Sequence, residues 1–305
     1  MVKAAPDKQS TLAEVIKRFA PKEGICETSI PSLFFIRHSS AYGPVHSVYK
    51  PSVCIIVQGE KELLLGQERL LYGPNHYLVA SVDLPVSGQI LEASDSAPYL
   101  AMKMEFTPAE ILEVMEEGTL QFTTDEDPKR GMYVSEVEHP ILDVAVRLTD
   151  LLASPEDIPV LAPLIKKEIL YRVLQGKHGS ALAQMAIQGS YAQRIRDVIH
   201  YIRREFNQSF RIEELADIAG MSVSTLHRHF REVTAMSPIQ FQKQIRLQEA
   251  RHLLLYEDAD IMEAALHVGY ESVSQFSREY ARLFGLPPRR DINRLKEEWS
   301  GVTED

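Results

Sequence analysis

The 305-residue sequence predicts a two-domain α+β chain, strand-rich in its first half and helical throughout its second. Between Ile30 and Phe106 short apolar runs alternate with turn residues at near-regular spacing. After Thr107-Pro108 the apolar period lengthens to that of helices. In the last third one stretch occurs twice, as S-V-S-T-L-H-R-H-F from Ser222 to Phe230 and as S-V-S-Q-F-S-R-E-Y from Ser272 to Tyr280.

Residues 1–24 read as a polar arm with one amphipathic turn around Leu12, Val15, Ile16 and Phe19, which suits a short helix. Strands are expected at Leu33–Ile36, Val53–Val57, Glu62–Leu65, Glu68–Leu71, Tyr77–Ala80 and Tyr99–Met102. Gly59, Gly66-Gln67, Gly73-Pro74-Asn75, Pro85 and Gly88 punctuate them. Short strands so spaced make a sandwich or small barrel. Ala109–Glu117, Pro140–Leu152 and Leu161–Gln175 then read as amphipathic helices, with Pro108, Pro140 and Pro163 near their starts. On the third, Leu164, Ile165, Glu168, Ile169, Arg172 and Val173 share a partly apolar face, which suits packing on the barrel and a homodimer contact equally. Three glycines between Gly176 and Ser190 mark an interdomain connection. The first domain is therefore expected over residues 25–185 and the second over 190–295, with an acidic tail at 296–305.

In the second domain Ile195, Val198, Ile199, Ile202 and Phe206 mark a first helix, and Ile212, Leu215, Ala216 and Ile218 a short second one. Ala216 is small where the next helix must cross close by. Gly220 suits a turn needing positive φ, and Ser222 caps the helix that follows. There Leu226, Phe230 and Val233 face inward, leaving Ser224, Thr225, His227, Arg228 and Arg231 outward. A long helix opens at Pro238 and ends near Tyr256-Glu257-Asp258. The plan then repeats through Ile261, Ala264, Ala265 and Val268, the turn Gly269-Tyr270 and the cap Ser272. Phe276, Tyr280 and Leu283 point in; Val273, Ser274, Ser277 and Arg278 point out. The repeats are offset by 49 residues at the glycines and by 50 at the serines, so the second turn holds one extra residue. These are two helix-turn-helix units joined by a long helix, a device for reading two neighbouring stretches of duplex DNA.

The net charge of −10 is unevenly distributed. Residues 1–189 carry 17 Lys/Arg against 25 Asp/Glu, whereas residues 190–295 carry 15 against 14. Of those 15 cations 14 are Arg, the residue suited to bidentate phosphate and guanine contacts. An acidic bulk repels DNA non-specifically, so binding must rest on a few well-placed contacts. The two cysteines, Cys26 and Cys54, exclude a disulfide framework. Cys54 reads as a small core residue, and no basic cluster beside Cys26 argues for a reactive thiol. No run approaches the length of a membrane span and the start lacks a secretory layout, so a cytoplasmic protein with no membrane partner is expected.

The string Gly269-Tyr270-x-Ser272-x-Ser274-x-Phe276-Ser277-Arg278-x-Tyr280, followed by Phe284-Gly285-x-Pro287-Pro288, resembles the tail signature of the AraC/XylS transcription regulators. The first half resembles one branch of that family through Tyr49-x-Pro51-Ser52-Val53-Cys54-Ile55-Ile56-Val57-Gln58-Gly59-x-Lys61 and Ser81-Val82-Asp83-Leu84-Pro85. That branch implies a cupin-like barrel of unassigned ligand. The family motif usually closes with Pro-x-x-Tyr-Arg, whereas here Pro288-Arg289-Arg290-Asp291 follows, so the tail is expected to pack or touch phosphate differently. The resemblance implies base contacts from Ser224, His227 and Arg228 in the first unit and from Val273, Ser274, Ser277 and Arg278 in the second. Arg can grip guanine O6 and N7, and Val a thymine methyl. Ser222, Thr225 and Ser272 suit phosphate. Each Arg can instead belong to a solvated helix face. The implied partners are double-stranded DNA, RNA polymerase and a small-molecule effector.

Two rival readings concern the first domain. A cupin enzyme needs clustered His and carboxylate ligands, but His38, His46 and His76 are scattered and no H-x-H occurs. His227 and His229, two apart, do not share a helix face. Neither a catalytic residue nor a cofactor nor a metal ligand is therefore assigned. The other rival is a barrel that only dimerises, giving a constitutive regulator. His38, Tyr42, His46, Tyr77 and Glu105 suit a pocket and a satisfied core alike, so the effector-binding residues stay unassigned.

Overall fold

The structure, a computed structural model, describes residues 7–123, 127–257 and 259–300. Residues 1–6 of the expected arm, Asp258 at the end of the long helix, and 301–305 of the expected tail lie outside the described residues. The chain divides into two compact units, one running to Arg196 and including Glu232–Ala235, the other formed by Asp197–Arg231 and the chain from Met236 on.

Among the described residues of the first unit, helix α1 (Lys8–Phe19) precedes ten strands: β1 (Gly24–Glu27), β2 (Leu33–His38), β3 (Tyr42–Tyr49), β4 (Ser52–Gln58), β5 (Glu60–Leu65), β6 (Glu68–Tyr72), β7 (His76–Ala80), β8 (Leu84–Glu92), β9 (Tyr99–Glu105) and β10 (Met132–Glu136). Helix α2 (Pro108–Glu117) interrupts them, and α3 (His139–Asp150), α4 (Ile158–Gln175) and α5 (Gly179–Gln184) follow. The strands form a six-stranded sheet, ordered β1-β2-β9-β4-β7-β10, and a four-stranded sheet, ordered β3-β8-β5-β6. All their pairings are antiparallel. The two-residue period divides the six-stranded sheet. Val53, Ile55 and Val57 of β4 and Leu100, Met102 and Met104 of β9 enter one core with the helices. Cys54 and Tyr99 point the other way, toward Lys61 of the four-stranded sheet.

Three expectations are corrected here. Residues 8–19 are not an arm: Leu12 and Ile16 are fully buried in the sheet–helix core, and Gln9 Nε2 donates to Val57 O at 3.0 Å. The amphipathic turn is one stretch of a three-turn helix whose stripe docks on the sheet. Helix α4 begins at Ile158, so Pro163 lies inside it and Pro159 takes the permissive early position. Leu164 is 57% exposed while Ile169 and Val173 are buried, so the expected single face is split. The Gly176–Ser190 stretch is not a linker, because α5 buries Ala181, Leu182 and Ala183 in the same core. Gly179 is needed there, since a Cβ would stand 1.7 Å from Leu174 O.

The six expected strands are β2, β4, β5, β6, β7 and β9; β1, β3, β8 and β10 were not anticipated. Pro85 and Gly88, read as turn residues, lie within β8. Pro85 pairs with Val48 of β3, and a Cβ at Gly88 would meet Leu63 Cδ2 at 2.7 Å. Close sheet packing selects Gly88 where local propensity suggests a turn.

The second domain comprises α6 (Tyr191–Arg204), α7 (Ile212–Ala219), α8 (Val223–Thr234), α9 (Pro238–Tyr256), α10 (Ile261–His267), α11 (Val273–Phe284) and α12 (Pro288–Ser300). The division of the chain between the two compact units falls within α6. Helix α9 opens with a capping box in which Ser237 and Gln240 exchange side-chain and backbone bonds. Residues 296–300 continue α12 instead of starting a tail.

Candidate nucleic-acid interface

Each unit begins with a helix stopped by a left-handed glycine. Gly220 caps α7 at φ 59°, ψ 42°, and Met221 N donates to Ala216 O at 3.0 Å. Ser222 then caps α8, its Oγ accepting from Thr225 N at 3.2 Å. The same Oγ lies 2.8 Å from Thr225 Oγ1 and 3.1 Å from Ser224 Oγ. Leu226 and Phe230 are fully buried, and Phe230 meets Phe241 of α9 edge-on with ring centroids 5.5 Å apart. That anchorage leaves Ser224, Arg228 and Arg231 exposed at i, i+4 and i+7, with Thr225 and His227 partly buried beside them.

The second unit follows the plan with a longer turn. Gly269 stands at φ +84°, and a Cβ there would lie 2.1 Å from Asn207 O. Asp260 caps α10 by accepting from Glu263 N at 2.7 Å, and Ser272 caps α11 by accepting from Gln275 N at 3.3 Å. Phe276 and Tyr280 are fully buried. Ser274 and Arg278 are exposed, Val273 is 36% exposed and Ser277 is partly buried. The ten nominated residues thus fall on two solvent-facing helix surfaces. Ile218 of α7, placed with the apolar residues of the short helix, is 42% exposed, and Ala219 takes the buried position.

The residues that hold the second unit in place went unrecognised in the sequence. Arg246 of α9 donates from Nε to Phe206 O at 2.6 Å, from Nη1 to Gly269 O at 3.0 Å and from Nη2 to Gln208 O at 3.0 Å. Gln242, one turn earlier, donates to Phe206 O and Gln208 O at 3.0 and 2.6 Å. Together they tie the loop after α6 to the turn before α11. Partial burial lowers the Arg246 pKa from its usual value, against the opposing effect of Tyr270 and Glu279. Glu279 accepts from Tyr270 Oη at 2.8 Å and from Lys243 Nζ at 3.0 Å. Burial pushes its carboxyl up, but these donors outweigh burial and hold it below the ordinary value. The signal available was a pair of polar residues, Gln242 and Arg246, at i and i+4 on a helix otherwise striped with apolar ones.

The departure at Asp291 also has a structural account. Asp291 is fully buried, accepts from Tyr280 Oη at 2.9 Å and from Arg251 Nη2 at 2.9 Å, and pairs with Arg294 at 3.1 Å. Arg251 lies over the Phe284 ring, 4.4 Å from its centroid. A buried ion pair with a tyrosine donor ties α9, α11 and α12 together; the sequence marked the departure at Asp291 but not the partners that bury it.

Of the first-domain candidates, His38 and Tyr42 have ring centroids 4.8 Å apart, and Glu105 pairs with Lys103 at 2.8 Å. Tyr77 lies on the opposite sheet face, in the core shared with the helices. No helix among the described residues is long and apolar enough to cross a membrane.

A strand-built domain followed by two capped helix-turn-helix units defines a DNA-binding transcription regulator. Residues 29–181 match the family described as the AraC-type transcriptional regulator N-terminus, and residues 215–294 match a helix-turn-helix domain family. The chain belongs to the AraC-type transcriptional regulators. It is similar to the HTH-type transcriptional activator RhaS of Escherichia coli O157:H7, at 27% identity over 161 residues. That match covers 52% of this chain and 58% of RhaS, so the chain spans little more than half the length of the curated relatives it matches. Its fold is similar to that of apo ToxT from Vibrio cholerae strain SCE256, with a TM-score of 0.52 and 11% identity over 89% of this chain and 98% of that one. The unsaturated fatty acid-bound ToxT structure from the same strain aligns at a TM-score of 0.54 and 9% identity, over 88% and 97% of the two chains.

Proposed function

We propose that this chain activates transcription in the cytoplasm by reading an asymmetric duplex site with α8 and α11, under control of a small effector held in its first domain. The observation that carries this is the pair of capped helices, built on one plan but exposing different side chains. Ser224, His227 and Arg228 contact bases in one major-groove segment, and Val273, Ser274, Ser277 and Arg278 contact bases in the next. Ser222, Thr225 and Ser272 lie at the helix N-termini, where backbone N–H groups and hydroxyls suit phosphate. Activation, the role named in RhaS, requires a further contact with RNA polymerase. A homodimer would place two such readers on one promoter. No catalytic step belongs to this reading. An effector regulates only if it favours one arrangement of the protein over another.

The test is a gel-shift series on the promoter of the adjoining gene. Arg278→Ala is expected to lose about 1–3 kcal/mol on the cognate site and to relax base choice at one position. Arg228→Ala should do the same at a position in the other segment. An unchanged ratio of cognate to random binding in both variants would refute the base-contact assignment.

A further inference from the structure

Two glutamines at the same helical position behave differently in the second domain. In α9, Gln240 closes its capping box: Ser237 N donates to Gln240 Oε1 at 3.0 Å, and Gln240 N to Ser237 Oγ at 3.3 Å. In α11, Gln275 stands at the same distance from its cap, and its N–H donates to Ser272 Oγ at 3.3 Å. Its side chain, however, does not turn back. It runs forward one turn, where Nε2 donates to Glu279 Oε1 at 3.4 Å. That bond is long, so Glu279 sets the direction of the amide more than its energy. Gln275 is exposed, and among the described residues nothing donates to its Oε1.

Glu279 is itself fixed. Its Oε2 accepts from Tyr270 Oη at 2.8 Å and its Oε1 from Lys243 Nζ at 3.0 Å, and its side chain is only 16% exposed. These donors keep it a carboxylate, which accepts and cannot donate. The Gln275 amide must therefore turn its nitrogen to Glu279, because the flipped amide would set oxygen against oxygen. Left over are Oε1, an acceptor, and the second N–H, a donor. On a helical repeat of about 3.6 residues, Gln275 and Ser277 lie on opposite flanks of the row made by Ser274 and Arg278. The equivalent residue of α8 is Thr225, shorter and without an amide, its hydroxyl 2.8 Å from Ser222 Oγ.

We propose that Gln275 is a specificity-determining residue of α11 that reads one adenine, Oε1 accepting from N6–H and Nε2 donating to N7, with Glu279, Tyr270 and Lys243 as positioning residues. This deepens the regulator reading above and rests on it. In the major groove adenine presents a donor and an acceptor side by side, the complement of a glutamine amide. Guanine presents two acceptors there, which would leave Oε1 facing another oxygen or nitrogen lone pair. Thymine presents an acceptor and a methyl, and cytosine a donor alone. Thr225 cannot make this contact, so the adenine belongs to the α11 segment only.

The test selects duplexes from a randomised library with the full chain, then measures gel shifts on the selected duplex at fixed salt. Selection with the unmodified chain should yield an adenine that selection with Gln275→Ala does not. Replacing that adenine by 7-deazaadenine, which removes only the N7 acceptor, should weaken binding of the unmodified protein about tenfold and leave Gln275→Ala unaffected. Glu279→Gln frees the amide to flip, so it should relax the adenine preference and keep the preference that Arg278 sets; a merely structural role would weaken every duplex alike. The contact is overturned if Gln275→Ala selects the same adenine, if it weakens selected and random duplexes by one factor, or if 7-deazaadenine affects both proteins equally. An unchanged adenine preference in Glu279→Gln overturns the positioning role. Arg278→Ala separates the two readings. If it relaxes one position while Gln275→Ala relaxes none, only this contact falls; if the unmodified chain selects no sequence, the regulator reading falls with it.

Discussion

At the scale of single residues, glycines 269 and 285 have nearly the same backbone conformation and different surroundings. Gly269 has φ +84° and Gly285 φ +80°, both in the region that L side chains rarely adopt. Around Gly285 nothing lies within 4 Å of an added Cβ, whereas at Gly269 the Asn207 carbonyl oxygen is 2.1 Å away and the Arg246 guanidinium 3.0 Å. Gly285→Ala should therefore cost only the left-handed strain, about 1–2 kcal/mol. Gly269→Ala adds a collision with backbone that Gln242 and Arg246 hold in place, and should cost upward of about 3 kcal/mol. Urea denaturation of the two variants measures the difference. Equal losses would mean that the loop after α6 yields freely and that the Arg246 brace is weak.

At the scale of elements, the caps on α8 and α11 serve the fold, whatever part they take in the proposed DNA contact. Ser272 Oγ accepts from Gln275 N and Ser222 Oγ from Thr225 N, so both serines are committed to their helices. Ser272→Ala should lose about 1 kcal/mol of stability. Ser272→Asp should keep that stability, because aspartate caps equally well, yet weaken DNA binding if phosphate sits at this helix end. Stability curves and gel shifts on the two variants separate the cap from the contact; unimpaired DNA binding by Ser272→Asp would remove the phosphate role. These elements were legible in the sequence because each is announced locally, by a serine cap, a glycine stop and an inward stripe such as Leu226 and Phe230. The long helix α9 and the central strand β4 were visible for the same reason. What was not legible depends on distant partners. Strand β8 contains Pro85 and Gly88 because of its neighbours β3 and β5, and α5 looks like a linker until its alanines meet the helical core. Arg246 looks like any charged helix residue until three carbonyls from elsewhere converge on it.

At the scale of the whole molecule, charge and repeat together constrain the DNA site. The chain carries −10 overall, yet residues 190–295 are nearly balanced and rich in arginine. Such a protein gains little from a general positive field, so its preference must come from the side chains that the two helices expose. Those faces differ in part: Ser224 and Arg228 on α8 recur as Ser274 and Arg278 on α11, whereas Thr225, His227 and Arg231 are replaced by Gln275, Ser277 and Ala281, and Val273 is exposed where Val223 is partly buried. Two-fold symmetric operators arise when identical readers are related by a dimer axis. On the proposed reading one chain carries two readers that are not identical, so its site should have no internal palindrome. Operators rebuilt with both segments copied from the α8 half, or both from the α11 half, would mismatch one reader at the base pairs read by the positions that differ. With each mismatch costing about 1–3 kcal/mol, either rebuilt site should bind on the order of a hundredfold more weakly than the native one. Titration at fixed salt is essential, since counterion release changes every affinity in the series. If one rebuilt site bound as tightly as the native one, a single helix would be reading the DNA and the second unit would be only a brace.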